Sequence, residues 1–280
     1  MQTDPRFSLV FAKKKKEFAV PAPLAPIADT HAHLMSFWDK DPAEAIARAA
    51  LAGVRQMTTI WDPLADHRDA ATYHEQLVGW IDQAKDLLDQ ALAAGVAPLE
   101  PAGELIGPCA DAWDSNPRAL LSRISFLAGV HPYGAPEYTD DVHAQVLESP
   151  LCSGVGEIGL DYHFDAEDNI EAAPHQMQMD VMARQLSLAV ERNLPVELHL
   201  RHEADDVERS SHLDAYNVLK RVGVPAAGCV LHCFGEDRAT MERFCDLGCH
   251  IAFGGAATFK RNDEVREAFA ACPLDLLLFE

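Results

Sequence analysis

Short apolar runs bounded by turn residues recur down this chain between segments of helical periodicity, and that alternation constrains the fold more than any other feature. The runs fall at residues 27–29, 54–61, 126–130, 152–160, 196–200, 229–231, 250–253 and 274–279. Helical patterns separate them at 42–51, 68–94, 141–148, 176–191, 213–221, 238–247 and 264–270. Asp41 caps the first of these helices, Pro42 opens it and Gly53 follows its end. Strands that alternate with helices argue for one α/β unit built on a parallel sheet.

Counted this way, eight strands and seven intervening helices describe a (β/α)8 TIM barrel that lacks its final helix. Residues 1–26 form an N-terminal extension ending in the proline-rich lead-in Pro21 to Pro26, and 27–280 form the barrel domain. Residues 62–125 exceed what a crossover needs and are read as an insertion that either covers the site or thickens the outer shell. Leu77, Ile81, Leu87, Leu88 and Leu92 supply the apolar face of its long helix, and 99–120 read as loops or short helices. In the helix at 176–191, Met177, Val181, Met182 and Leu188 read as a packing stripe.

With 48% apolar residues the chain is not disordered as a whole. Its charge is unusual: 23 Lys and Arg stand against 44 Asp and Glu, a formal net charge of -21. Long-range attraction to a phosphate backbone is therefore absent, which counts against a tight non-specific nucleic-acid binder. An enzyme whose carboxylates hold divalent cations stays compatible, because the metals reverse the local sign. The basic run Lys13 to Lys16 reads as a solvated tail. No apolar signal core follows it, no stretch is long enough for a membrane span, and a cytoplasmic location is expected. The seven cysteines include no CxxC pair and are read as small core thiols rather than zinc ligands or a disulfide framework.

In such barrels the chemistry sits at the C-terminal ends of the strands. His31 and His33 follow the first strand at i and i+2, so they point the same way in extended backbone. Glu157 lies inside an apolar, glycine-rich strand, where a carboxylate needs a partner or a cation. His199 and His232 end two further strands. Four imidazoles and one carboxylate make a nitrogen and oxygen donor set suited to Zn²⁺ or Mn²⁺, with Mg²⁺ acceptable where waters complete the shell. Two ions bridged by Glu157 would clamp the attacking and leaving oxygens of a phosphodiester. Arg201 either holds a phosphate oxygen with its planar fork or pairs with Glu203, Asp205 or Asp206.

The strings IADTHAHL (27–34), AGVHP (128–132), GVGEIGLDYH (154–163), PVELHLRHEA (195–204), VLHCFGED (230–237) and IAFGGAATFK (251–260) together resemble the TatD family of metal-dependent hydrolases. The resemblance implies a TIM barrel with DNase activity, usually 3'-to-5' exonuclease, and two divalent ions. Carried over, His31 and His33 hold one metal, Glu157 bridges, and His199 and His232 hold the second. Glu157 would serve catalysis, joined by Arg201 if its fork holds the phosphate as the residue reading allows, DNA would be the substrate, and neither a membrane nor an obligate protein partner is implied. Family members continue the last strand as Glu-Thr-Asp-Ser-Pro, whose Asp is a ligand of the first metal. Here the chain reaches the Glu position at Glu280, so a gene fragment is expected, with weakened binding of the first ion. Two other classes compete: an amidohydrolase acting on C–N or carboxyl-ester bonds, and a catalytically silent binding or scaffold protein.

Overall fold

A computed structural model describes residues 4–13, 15–36, 40–66, 69–163 and 172–280. The chain divides into two compact units, 1–59 with 71–125 and 60–70 with 126–280.

The first unit opens with a hairpin of β1 (Val10–Lys13) and β2 (Lys16–Ala19), whose Phe11 and Phe18 rings stack at 5.2 Å. Lys13 and Lys16 pair across this hairpin instead of lying in a free tail, Lys15 and Lys16 are exposed, and Lys14 lies outside the described residues. The directly paired Phe11 and Phe18 favour this pairing through a cross-strand aromatic contact. β3 (Ile27–Ala32) runs parallel to β4 (Val54–Trp61), and α1 (Pro42–Leu51) connects them. Asp41 caps α1 by accepting from the Ala43 amide at 2.8 Å. Gly53 has φ +101°, and a Cβ there would lie 2.8 Å from Pro23 Cγ, so only glycine fits the turn into β4.

The long helix expected within residues 62–125 is α2 (Ala70–Ala93), and it buries Tyr73, Leu77, Ala84, Leu88 and Ala91. Ile81, Leu87 and Leu92 are only half-buried, because the small Ala84 and Ala91 centre the contact face and the larger residues flank it. Beyond it lie α3 (Pro108–Ala112) and a 3-10 turn at Pro117–Arg123. Arg55, near the start of β4, stacks on Trp113 at 4.3 Å and donates to the Asp114 carbonyl at 2.6 Å. The Leu99 amide donates to the Leu51 carbonyl at 2.8 Å. Leu99, Trp113 and Asp114 thus pack at the N-terminal end of β4 and the C-terminal end of α1.

The second unit repeats strand and helix: β5 (Ile124–Ala128), α4 (Asp140–Val146), β6 (Cys152–Asp161), α5 (His175–Arg192), β7 (Val196–Arg201), α6 (Ser210–Val222), β8 (Cys229–Leu231), α7 (Arg238–Cys245), β9 (His250–Phe253), α8 (Asp263–Ala271) and β10 (Leu277–Phe279). Each strand from β5 to β10 pairs parallel with the next. The fold is α/β, with the series of eight parallel strands, β3 to β10, of a (β/α)8 TIM barrel. Several boundaries move by a few residues, and β3 runs on to Ala32, so that His31 lies within it. β5 begins and ends two residues early, and β10 begins at Leu277 because a turn from Pro273 to Leu276 leaves Leu274 in solvent.

β6 is buried along nearly its whole length, as a parallel strand covered on both faces should be. The stripe of α5 that meets the sheet is Gln178, Val181, Met182, Gln185, Leu186 and Ala189. Met177 lies outside it and is exposed, and Leu188 is half-buried. Two glutamines enter the stripe because they satisfy strand backbone: Gln185 accepts from the Val130 amide at 2.8 Å and donates to the Val130 carbonyl at 3.1 Å. Gln178 accepts from the Asp161 amide at 2.8 Å and donates to the carbonyls of Asp161 and Ala173. Buried backbone groups beyond a strand end need such partners.

Candidate metal centre

The second unit gathers its polar residues at the C-terminal ends of its strands. Glu157 and Asp161 stand on β6 four residues apart and so face the same way. His199 lies on β7, and His232 directly follows β8. Glu157 Oε1 lies 2.7 Å from His199 Nδ1 and 2.8 Å from His232 Nε2, and the two ring nitrogens are 3.3 Å apart. His199 Nε2 meets Asp161 Oδ2 at 2.9 Å, and Asp161 Oδ1 accepts from the His163 amide at 2.9 Å.

These contacts depend on glycine. Gly159 pairs with His199 across β6 and β7, has φ +146°, and a Cβ there would lie 2.0 Å from the His199 carbonyl oxygen. No side chain fits that space. The close approach of the two backbones brings both carboxylates of β6 onto one imidazole.

His131 follows β5, and its ring packs edge-on against His199 at 4.5 Å. Its backbone amide donates to Asp62 Oδ2 at 2.9 Å, and Asp62 also accepts from the amides of Leu64 and Ala65. Burial, aided by the neighbouring His199 charge, lowers the His131 pKa to about 4, so the ring is neutral at pH 7. Burial raises Asp62, against the pull of its three amide donors. Glu157 is treated oppositely: burial opposes its ionisation, but the hydrogen bonds from His199 and His232 win and hold it well below the usual carboxylate range. Burial likewise disfavours a charged His199, yet Asp161 and Glu157 together raise it to about 9. Without an ion the cluster is thus a carboxylate–imidazolium network.

The donor set fits a divalent ion. A carboxylate oxygen and two imidazole nitrogens from three neighbouring strands converge, and Asp161 fixes the far nitrogen of one ring as an outer-sphere carboxylate does.

In the first unit His31 and His33 come together at the end of β3, with their Nε2 atoms 2.8 Å apart. Asp29 Oδ1 accepts from the His31 amide at 3.2 Å, where the register of β3 against β4 shifts. Arg201, the last residue of β7, is exposed and forms no ion pair with Glu203, Asp205 or Asp206 among the described residues. Glu280 brings its Oε1 to 3.8 Å from His232 Nδ1. Asp161 and His131 are not among the site residues expected from the sequence. The signal that points to Asp161 is its i+4 spacing from Glu157 on one strand face.

The family model described as TatD related DNase matches residues 110–280, more than half of the chain. Escherichia coli (strain K12) YcfH, an uncharacterized metal-dependent hydrolase, is 32% identical over 159 residues, 56% of this chain and 54% of its own length. A 3'-5' ssDNA/RNA exonuclease TatD from Erwinia amylovora is 34% identical over 157 residues, 55% of each protein. The chain spans about half the length of the curated relatives it matches. Among solved structures, the TatD homologue YjjV from Escherichia coli k12 superposes with TM-score 0.58 at 24% identity, covering 91% of this chain and 78% of that one. An uncharacterized amidohydrolase from Saccharomyces cerevisiae gives TM-score 0.55 at 16% identity, over 92% and 75% of the two chains. The family match and the histidine–carboxylate centre agree, and the chain belongs to the TatD-related DNase family of metal-dependent hydrolases.

Proposed function

We propose that the chain carries the site of a two-metal phosphodiesterase acting on DNA, with 3'-to-5' exonuclease polarity, in the cytoplasm. The observation that carries the reading is Glu157 Oε1 within hydrogen-bond reach of His199 and His232 from two other strands. In this reading Glu157, His199 and His232 would hold one ion, and His31 and His33 would hold another together with Glu157. Divalent ions bound there supply Lewis acidity and an activated water.

The chain's own residues do the rest. Asp161 holds the His199 ring by its Nε2, so Nδ1 keeps its aim toward Glu157. His131 stays neutral beside His199 and adds no competing charge. Arg201, exposed at the end of β7, is available to grip a phosphate oxygen through two parallel N–H groups. The net charge of -21 makes substrate capture weak and salt-sensitive.

Elemental analysis of the purified chain and of Glu157→Ala tests the metal reading, and cleavage of single-stranded and duplex DNA with Mg²⁺ or Mn²⁺ tests the substrate. The expected result is loss of bound metal and of cleavage together. Equal metal content in both proteins overturns the ligand scheme. Hydrolysis of esters or amides without DNA cleavage moves the chain to the amidohydrolase class, whose members share the fold.

A further inference from the structure

A second group of donors lies outside the centre described above. His202 is the first residue after β7, His212 sits in the first turn of α6, and Glu236 lies in the loop between β8 and α7. His202 Nδ1 is 3.6 Å from Glu236 Oε1, and His212 Nε2 is 3.9 Å from the same oxygen. One ligand atom from each of the three residues falls within 4.8 Å of the others.

Both separations exceed a hydrogen bond. They approach the roughly 3.3 Å edge that separates two donors of a tetrahedral ion with bonds near 2.0–2.1 Å. His202 Nδ1 is buried with no hydrogen-bond partner among the described residues, a state that native interiors rarely tolerate. His212 is held by its other nitrogen, with Nδ1 at 3.3 Å from Ser211 Oγ, which leaves Nε2 toward the carboxylate.

Glu236 is similarly divided. Its Oε2 accepts from Arg209 Nε at 2.6 Å, and its Oε1 faces the two rings. The Arg209 guanidinium is shared with Asp237 and Glu264, each at 3.2 Å, so one positive charge stands against three carboxylates. The local excess of negative charge favours a cation where the rings and Oε1 converge.

We infer that His202, His212 and Glu236 form a third divalent-metal site, selective for Zn²⁺ or a similar late first-row ion. Two imidazole nitrogens and one carboxylate oxygen suit such an ion better than Mg²⁺ or Ca²⁺, which prefer oxygen shells. Three protein ligands leave the fourth position to water or an exogenous anion. Arg209 acts as the outer-sphere partner that orients Glu236.

The test uses the full chain carrying Glu157→Ala and His232→Ala, which removes donors of the proposed catalytic centre. Zn²⁺ is titrated against a chromophoric chelator, and Co²⁺ is added separately for its visible tetrahedral absorption. This background should still bind one equivalent of Zn²⁺ and give the Co²⁺ band. Adding His202→Ala or Glu236→Gln should weaken that equivalent at least tenfold and abolish the band, with circular dichroism of the metal-free proteins unchanged. If the background does not fold, the same two substitutions are read in the otherwise unaltered chain as loss of one Zn²⁺ equivalent. Glu236→Gln loses a charged partner of Arg209, so if it unfolds, His202→Ala alone decides the outcome. Zinc binding unaltered by His202→Ala, or no binding by a folded background, overturns the site. Failure of the catalytic reading shows differently, as unchanged metal content in Glu157→Ala alone.

Discussion

Asp161 Oδ2 lies 2.9 Å from His199 Nε2 while Glu157 Oε1 lies 2.7 Å from Nδ1 of the same ring, so one imidazole is held from both sides by carboxylates of a single strand. The inner carboxylate is a candidate ligand, and the outer one sets the tautomer and angle of the ring. Asp161 is almost fully buried, and its own Oδ1 is tied to the His163 amide, so it cannot swing away.

Asp161→Asn should keep the shape and lose the charge behind His199. The expected outcome is a drop in divalent-metal affinity of roughly 10- to 100-fold. Metal titration of the two proteins reads it, and equal affinities would remove Asp161 from the ligand scaffold.

Gly159→Ala tests the backbone approach on which the centre depends. The added methyl collides with the His199 carbonyl, and φ +146° is hostile to any side chain. A loss of at least about 3 kcal/mol is expected from the strain and forced displacement. Urea denaturation measures it, and an unchanged midpoint would show that β6 and β7 can separate freely.

Gln185→Leu keeps an apolar stripe on α5 but abandons both backbone groups of Val130. Each buried group left unsatisfied costs about 1–3 kcal/mol, so the total falls near 2–6 kcal/mol. Stability should fall although the helix face becomes more hydrophobic. A variant as stable as the parent would mean that water replaces the amide.

His143 supplies a pH dependence away from the metal ligands. It is fully buried, and burial lowers its pKa to about 4 despite help from Gln185 and Asp140, while Arg192 adds to the depression. The folded protein holds the ring neutral, whereas the unfolded chain takes up a proton below pH 6.5. Stability is therefore full above that value and declines from about pH 6.5 to about pH 4, by up to about 1.4 kcal/mol per pH unit from this residue. Denaturation of the metal-free protein at several pH values, repeated on His143→Gln, checks it. The same slope in both proteins would assign the acid sensitivity elsewhere.

Much of the strand and helix pattern was legible in the residue order because it rests on local physics. Val54–Trp61, Cys229–Leu231 and His250–Phe253 are apolar runs bounded by turn residues, and α1 has Asp41 and Pro42 at its start and Gly53 beyond its end. The histidines at 31, 33, 199 and 232 and the carboxylate at 157 stood out because charge and imidazole in apolar strands demand an explanation. Residue order could not show which polar residues serve those five. Gln178 and Gln185 interrupt an apolar stripe, and only packing against β5 and β6 reveals that they satisfy strand backbone. Asp161 becomes the partner of His199 through the register of two strands, and that register depends on the missing Cβ of Gly159. His202, His212 and Glu236 sit in three separate segments with no motif spacing, and they meet because β7 and β8 lie side by side. Periodicity is a property of neighbours along the chain and survives in the sequence alone. Convergence of donors across strands depends on pairing distances that only the folded backbone decides.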